Sequence, residues 1–386
     1  MRYVTRLLSD ELQKAVKQFP VVLLTGPRRA GKTCLLKHLY PKADYRLLED
    51  HDILGRVRAD PRAFLDEVRV PAVLDEIQNA PELLNYLRSR VDREPGRKGR
   101  WLLTGSQEAA LMRGVSESMA GRAGLLHLLP FSLRECPKVR LTKGGFPEAL
   151  GSSSAASRWF SSYVQTYLER DVRAVTSIRD LATFRRFMAL LATRSGQTLN
   201  RSDLAGPMGV SVPTISEWLS ILETTGQIVL VPPFYENFGK RIVKSPKLYF
   251  VDSGLLCHLL ALESERHLVR SPFLGPVFEG FVASEVLKHQ LNSGRRRQLY
   301  FFRDRRGLEV DFVVPCGGAK LLLVEAKATR TVKPVMAEPL IRLSAEMKSY
   351  SVKRVVVHRS ARQTVDTTAL KPGVSAVPVE KLTDWL

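Results

Sequence analysis

Residues 26–33 read GPRRAGKT, directly after the apolar run VVLLT (21–25) and directly before CLLKHLY (34–40). No other stretch restricts the fold as strongly. A β-branched apolar run of this length reads as a buried parallel strand. The spacing G-x-x-x-x-G-K-[ST] then calls for a tight loop whose main-chain N–H groups converge on an anion. Gly26 and Gly31 permit the turn, and Pro27, Arg28, Arg29 and Ala30 complete it. Lys32 brings positive charge to the β- and γ-phosphates of a nucleotide, and the Thr33 hydroxyl is a candidate Mg²⁺ ligand. Cys34 then enters a helix whose N-terminal dipole favours the anion. Strand, phosphate loop and helix in that order predict an α/β fold with a parallel sheet.

A partner for this loop stands about 40 residues on, in RVPAVLDEIQ (69–78), an apolar strand ending in Asp75-Glu76. Asp75 is the candidate holder of magnesium-bound water, and Glu76 the candidate base that polarises the attacking water. An acidic pair on an ordinary surface turn is the alternative. GRWLLTGSQ (99–107) reads as another strand, with Thr104, Ser106 and Gln107 at its end as polar groups that could sense the γ-phosphate. LLHLLPFSLRE (125–135) reads as a fifth strand. Just before it, in MAGRAG (119–124), Arg122 is a candidate arginine finger toward a neighbouring subunit; a solvated arginine is the alternative. Arg28 and Arg29 have the same two readings, phosphate or solvent.

The stretches LLTGPRRAGKT, AVLDEIQNAPELL, WLLTGSQ, MAGRAG, LPFSLRE and GGFPEAL together resemble an AAA-type ATPase core found in bacteria and archaea. The later stretches YLERDV, PKLYFVDSGLL and FEGFVASEVL resemble the C-terminal region of unassigned function that follows this core. The resemblance covers nearly the whole chain. It implies ATP rather than GTP, in agreement with the lack of an NKxD-like guanine-reading stretch. It also implies a possible homo-oligomer, since AAA-type cores form rings in which a neighbour supplies the finger arginine.

Three domains are expected, at 1–150, 151–260 and 261–386. The polar run GSSSAAS (151–157) is a hinge candidate, followed by a helix through RWFSSYVQTYLERDVRAV, in which Arg170 is either a second nucleotide sensor or an ion-pair partner. Two short helices then flank a glycine in SDLAGPMGVSVPTISEWLSILETTG, and QIVLVPPF reads as a strand. This is the order of a winged helix-turn-helix. Its second helix is expected to present Ser211, Thr214, Ser216 and Glu217, a weak set for base reading. Lys240, Arg241 and Lys244 in the presumed wing suit phosphate better. A purely structural winged helix is the alternative.

The last third carries a second acidic set. FLGPVFEGFVASEVLKH (273–289) reads as a helix bearing Glu279 and Glu285, and QLYFFRD and GLEVDFVV as a strand pair placing Asp311 in the second. LLLVEAKA follows, with Glu325 and Lys327 on one face by strand alternation. Asp311 and Glu325 could share a divalent cation, Lys327 could position or deprotonate water, and Glu285 could complete the set. The pattern resembles a restriction-endonuclease-like PD-(D/E)XK core, with Val310 where the nominal motif has proline. A D…ExK match by chance is the alternative. GRRRQ (294–298) and RDRR (303–306) beside it suit a nucleic-acid backbone or a solvated loop.

Net charge is +20, and residues 1–150 alone hold 26 basic and 18 acidic side chains, an excess of 8. The excess is spread through the chain, which points to a polyanionic partner, DNA first, with a generally basic proteome as the alternative. The four cysteines, Cys34, Cys136, Cys257 and Cys316, lack disulfide or zinc spacing, so a reducing cytoplasm fits. The N-terminus has no apolar signal region, and no run is long enough to span a bilayer. Three functions stay open: an ATP-hydrolysing, DNA-associated machine; an ATP-binding switch that scaffolds proteins; and a metal-dependent nuclease gated by ATP.

Overall fold

The computed structural model describes residues 3–105, 119–151, 153–168, 181–234, 245–360 and 368–386, and its main segments form two compact units that meet in sequence at Phe131 and Ser132.

The first unit is built on five strands: β1 (Val21–Thr25), β2 (Asp44–Leu47), β3 (Ala72–Asp75), β4 (Trp101–Thr104) and β5 (Ala123–His127). All pair in parallel, in the order β2-β3-β4-β1-β5. The helices are α1 (Ser9–Gln18), α2 (Lys32–Leu39), α3 (His51–Ala59), α4 (Pro61–Glu67) and α5 (Leu83–Arg93). Every residue of β1 is buried, which is why it reads as a continuous apolar run rather than an alternating one. Alternation survives in the destination of its side chains. Val21 and Leu23 join one core with Val57, Phe64, Leu84 and Leu87. Val22 and Leu24 join another with Leu12, Leu35 and Leu36. Helices therefore cover both faces, and β1, β3 and β4 end on one edge in Thr25, Asp75 and Thr104, the edge where open parallel sheets bind ligands. The fifth strand is displaced from its expected place and ends at His127. Pro130 has no N–H to extend it, and Ser132 and Glu135 close a turn in which each side chain accepts the other's backbone N–H, at 3.3 and 2.9 Å.

The second unit begins with α6 (Ser153–Tyr163), α7 (Leu181–Thr193), α8 (Arg201–Met208), α9 (Val212–Thr224) and the antiparallel pair β6 (Ile228–Val231) and β7 (Lys247–Phe250). Asn200 caps α8, accepting the Ser202 N–H at 3.1 Å, and Gly209 ends it at φ 64°. Trp218 of α9 packs between Phe184 and Phe187 of α7. Then come α10 (Ser253–Leu259), α11 (Glu265–Arg270) and α12 (Leu274–Asn292). Asp252 caps α10 through the Leu255 N–H at 3.0 Å and also accepts the Gly145 N–H at 2.7 Å. That one carboxylate ties the GGFPEAL and VDSGLL stretches together. A six-stranded mixed sheet closes the unit: β8 (Tyr300–Arg303), β9 (Glu309–Pro315), β10 (Lys320–Lys327), β11 (Ser351–His358), β12 (Thr368–Lys371) and β13 (Val374–Pro378), with α13 (Glu338–Glu346) between β10 and β11. Its order is β12-β13-β11-β10-β9-β8; β8, β9 and β10 run antiparallel in succession, and β10 and β11 run parallel.

Candidate functional site

The loop 26–33 curls at the end of β1, as its sequence requires. Gly26 has φ 135° and Gly31 φ 98°. A Cβ on Gly26 would lie 2.1 Å from the Leu128 carbonyl oxygen, so only glycine lets the loop lie against that strand end. Beneath it is Arg6, which sequence reasoning missed. Its guanidinium is buried, donates to the Ala30 oxygen at 2.7 Å and the Leu129 oxygen at 2.6 Å, and lies 4.5 Å over the Phe131 ring. One N-terminal arginine thus braces the back of the loop. Only its buried position gives it this role, and no spacing in the sequence signals that.

Lys32 is buried at the start of α2, and its ammonium donates to the Gly26 oxygen at 2.9 Å and the Pro27 oxygen at 3.0 Å. The Thr33 hydroxyl donates to Asp75 Oδ2 at 2.8 Å. Asp75 is 2 % exposed and accepts two further hydroxyls, Tyr45 at 2.5 Å and Thr104. Tyr45 was missed because it lies on β2, whose sequence carries no phosphate signature; burial and the Asp75 bond raise its pKa. Thr104, expected to face the γ-phosphate, is fully buried and serves Asp75 instead. It also accepts the Glu76 N–H at 3.1 Å. Glu76 adopts φ 60°, a left-handed backbone uncommon for a residue other than glycine. Gln78 donates to it, and the Arg28 guanidinium lies 3.8 Å from Glu76 and 3.7 Å from Glu49. Arg28 therefore meets carboxylates, whereas Arg29 and Cys34 are exposed. Pro27 and Ala30 are buried.

These groups fit Mg²⁺-nucleotide. The pair 2.8 Å apart, Thr33 hydroxyl and Asp75 carboxylate, is an oxygen donor set of the kind magnesium takes, and Lys32 rests on neutral carbonyls that an anion can replace. Arg122, the finger candidate, forms a two-pronged pair within the chain with Asp92 of α5, Nε at 2.5 Å and Nη2 at 3.1 Å. Ser106, Gln107 and Arg170 lie outside the described residues, as do Lys240, Arg241 and Lys244.

In the second unit, Asp311 on β9 and Glu325 and Lys327 on β10 come together. Asp311 Oδ2 accepts the Ala326 N–H at 2.8 Å, and Lys327 donates to Glu325 Oε1 at 2.6 Å. Burial raises the pKa of Asp311 well above normal, helped by Glu279 and Glu325, and burial likewise raises that of Glu325. Burial works to lower Lys327, but Glu325, Asp311 and Glu279 outweigh it and raise its pKa, so it is an ammonium at neutral pH rather than a base.

Glu285 does not complete this set. It accepts the Leu133 N–H at 2.9 Å and pairs with Lys288 at 3.1 Å, both side chains buried. The helix supplies Glu279 instead. Six residues on an α-helix turn the side chain by roughly 120°, so the two glutamates cannot share a face. The Lys288 three residues on was the signal that Glu285 was already engaged. Of the presumed recognition helix, Ser211 and Glu217 are exposed, Thr214 and Ser216 half-buried, and Ser211 and Thr214 bond each other at 2.8 Å as a helix cap. GRRRQ (294–298) is exposed. No helix among the described residues is long and apolar enough to cross a membrane.

The first unit is thus a P-loop ATPase core of the AAA type, and residues 18–136 match the family described as an AAA domain. Residues 138–266 and 274–382 match two domains of unknown function, DUF8612 and DUF4143. The uncharacterized proteins Rv2008c of Mycobacterium tuberculosis and Mb2031c of Mycobacterium bovis are each 33% identical over 314 residues, covering 80% of this chain and 70% of theirs. The chain belongs to the family of these mycobacterial proteins, an AAA-type ATPase core followed by a C-terminal domain of unknown function. Among solved structures, the Walker-type ATPase PABY2304 of Pyrococcus abyssi is 16% identical and covers 65% of this chain and 94% of its own, at a TM-score of 0.40. The STAND protein PH0952 of Pyrococcus horikoshii, with a tetratricopeptide repeat sensor, is 14% identical and covers 73% of this chain and 48% of its own, at 0.24.

Proposed function

We propose that the chain binds and hydrolyses ATP with magnesium, and that its later domains respond to that turnover. The observation that carries this reading is the Thr33–Asp75 bond of 2.8 Å at the mouth of the glycine loop. It joins two residues distant in sequence into one oxygen donor set beside a buried lysine. Magnesium, when bound, neutralises phosphate charge. The chain's own groups do the rest. Main-chain N–H groups of the loop and the first turn of α2 grip the phosphate oxygens. Lys32 leaves the carbonyls of Gly26 and Pro27 for the terminal phosphates. Tyr45 and Thr104 fix the rotamer of Asp75. Glu76, at a strained turn with Arg28 and Gln78 beside it, takes the proton from the attacking water. The test is ATP hydrolysis, followed as phosphate release, in wild type and Lys32→Ala. Turnover should vanish in the variant; unchanged turnover rules the assignment out.

A second reading, association with DNA in the cytoplasm, is favoured by the order α8, α9, β6, β7, which supports a winged helix, and by the net charge of +20. The order α12, β8, β9, β10, α13, β11 with Asp311, Glu325 and Lys327 likewise supports a nuclease-like fold. Binding to duplex, single-stranded or branched DNA that weakens steeply with salt supports the DNA reading. Absent or salt-insensitive binding favours the protein-scaffold switch.

A further inference from the structure

The acid cluster of the second unit does not fit a divalent cation as it stands. Three carboxylates from two elements converge on a single ammonium from a third. Lys247, at the start of β7, lies 2.6 Å from Glu309, 3.0 Å from Glu279 and 3.9 Å from Asp311. Its side chain is 4% exposed. Tyr249, two residues on and therefore on the same face of the strand, donates to the same Glu279 oxygen at 2.5 Å. A metal held by Glu279 and Asp311 needs their oxygens within roughly 2.0–2.6 Å. The ammonium already stands among those oxygens, and a second cation there would face it at close range in a poorly screened site. Among the described residues, no group of three acidic, histidine or cysteine side chains has metal-holding geometry. Yet one acceptor is left over. Glu325 is 5% exposed, and its Oε2 is buried without a hydrogen-bond partner. Glu325 directly precedes Ala326, whose N–H Asp311 accepts at 2.8 Å, so its carboxyl borders the same cluster.

We infer that Lys247 is a tethered cation that fills the place of the metal in this nuclease-like cluster, closing a latent divalent-cation site. The inference concerns the second unit alone and holds or fails independently of ATP hydrolysis. Lysine serves where magnesium would because its charge is compact, its N–H groups reach Glu309 at 2.6 Å and Glu279 at 3.0 Å, and the Asp311 carboxyl stands 3.9 Å away within the same field. It differs from magnesium in being covalently held, so chelators cannot remove it, and in offering no open coordination position to activate water.

The experiment is Mn²⁺ binding to the full chain without nucleotide, by electron paramagnetic resonance. It uses wild type, Lys247→Met, Asp311→Asn and the Lys247→Met/Asp311→Asn double variant. Lys247→Met should gain one Mn²⁺ site at least about tenfold tighter than any in the wild type. The double variant should lose it. Asp311→Asn alone should leave wild-type binding unchanged, since any weak site at Asp75 is common to all four proteins. A folded Lys247→Met with no gained site overturns the inference. Should Lys247→Met fail to fold, the other single variant decides: a wild-type Mn²⁺ site that disappears in Asp311→Asn means the metal already binds beside Lys247, and the inference falls. Unchanged binding in that variant upholds it.

Discussion

Each unit buries a lysine, Lys32 in the first and Lys247 in the second, but they satisfy it differently. Lys32 rests on two main-chain carbonyls, and its neighbouring acid, Asp75, is satisfied by three hydroxyls. Lys247 is satisfied by the carboxylates of Glu309 and Glu279, with Asp311 3.9 Å away. Dipoles yield to a charged ligand at modest cost, because exchanging one neutral partner for an anion gains Coulomb energy. A buried ion pair does not yield, since separating it leaves an uncompensated charge on each side. On the readings proposed above, the first arrangement takes an anion and a metal, and the second takes neither.

The largest expected effect sharpens the open side of this contrast. Glu76→Gln should lower ATP turnover by about 10²–10⁴-fold while leaving nucleotide affinity near wild type, because the amide cannot take the proton but still fills the same space. Phosphate release and binding of a fluorescent nucleotide separate the two. Equal losses in both would mean that Glu76 holds the loop rather than the water. Next in size is Gly26→Ala. Its Cβ meets a backbone oxygen at 2.1 Å and its φ is 135°, so the loop must move. The cost is expected at roughly 2–5 kcal/mol, read as a lowered denaturation midpoint with loss of nucleotide binding.

A pH experiment probes the closed side. Asp311 and Glu325 have raised pKa values in the folded protein, chiefly from burial. Such acids hold their protons more tightly folded than unfolded. Their penalty is absent below the ordinary carboxylate range, near pH 4, and grows as pH rises toward the folded values. Asp311→Asn removes one of them. The variant should melt at a higher temperature than wild type at pH 8, and the gap should close as pH falls to about 4. A gap that widens in acid would show that the Lys247 and Lys327 charges dominate Asp311 instead.

The two sites also differ in how much of them could be read beforehand. The phosphate loop is legible because its chemistry is local: eight consecutive residues specify turn, charge and metal ligand, and the strand before them announces itself by unbroken apolar character. Asp75 was legible because it ends a comparable strand. Tyr45 and Arg6 were not, since each acts through burial from an element without a motif. In the second unit the adjacency of Asp311, Glu325 and Lys327 is legible from strand alternation and a short hairpin. Glu279 lost to Glu285 because α12 is apolar nearly all round, so its sequence does not show which face meets the sheet. Lys247 was hidden for another reason. It arrives from β7, far upstream, and only the alternation of Lys247 and Tyr249 hinted at a shared polar face.

The smallest expected effect concerns Arg122, which neither site uses within one chain. Its pair with Asp92 is solvent-exposed, at 32% and 42%. Hydrogen bonding to Arg122 holds Asp92 below the usual carboxylate range, but water and salt screen such a pair heavily. Arg122→Ala should therefore leave the melting temperature within error of wild type. Its effect on turnover discriminates more. If the pair persists during turnover, ATP hydrolysis per chain is also unchanged and independent of protein concentration. If chains assemble and Arg122 exchanges Asp92 for a neighbour's phosphate, turnover falls by about 10³-fold or more, and wild-type activity rises with concentration. Asp92→Ala separates these cases. It frees the guanidinium without removing it, so it should raise turnover in an assembling protein and change nothing in a monomer.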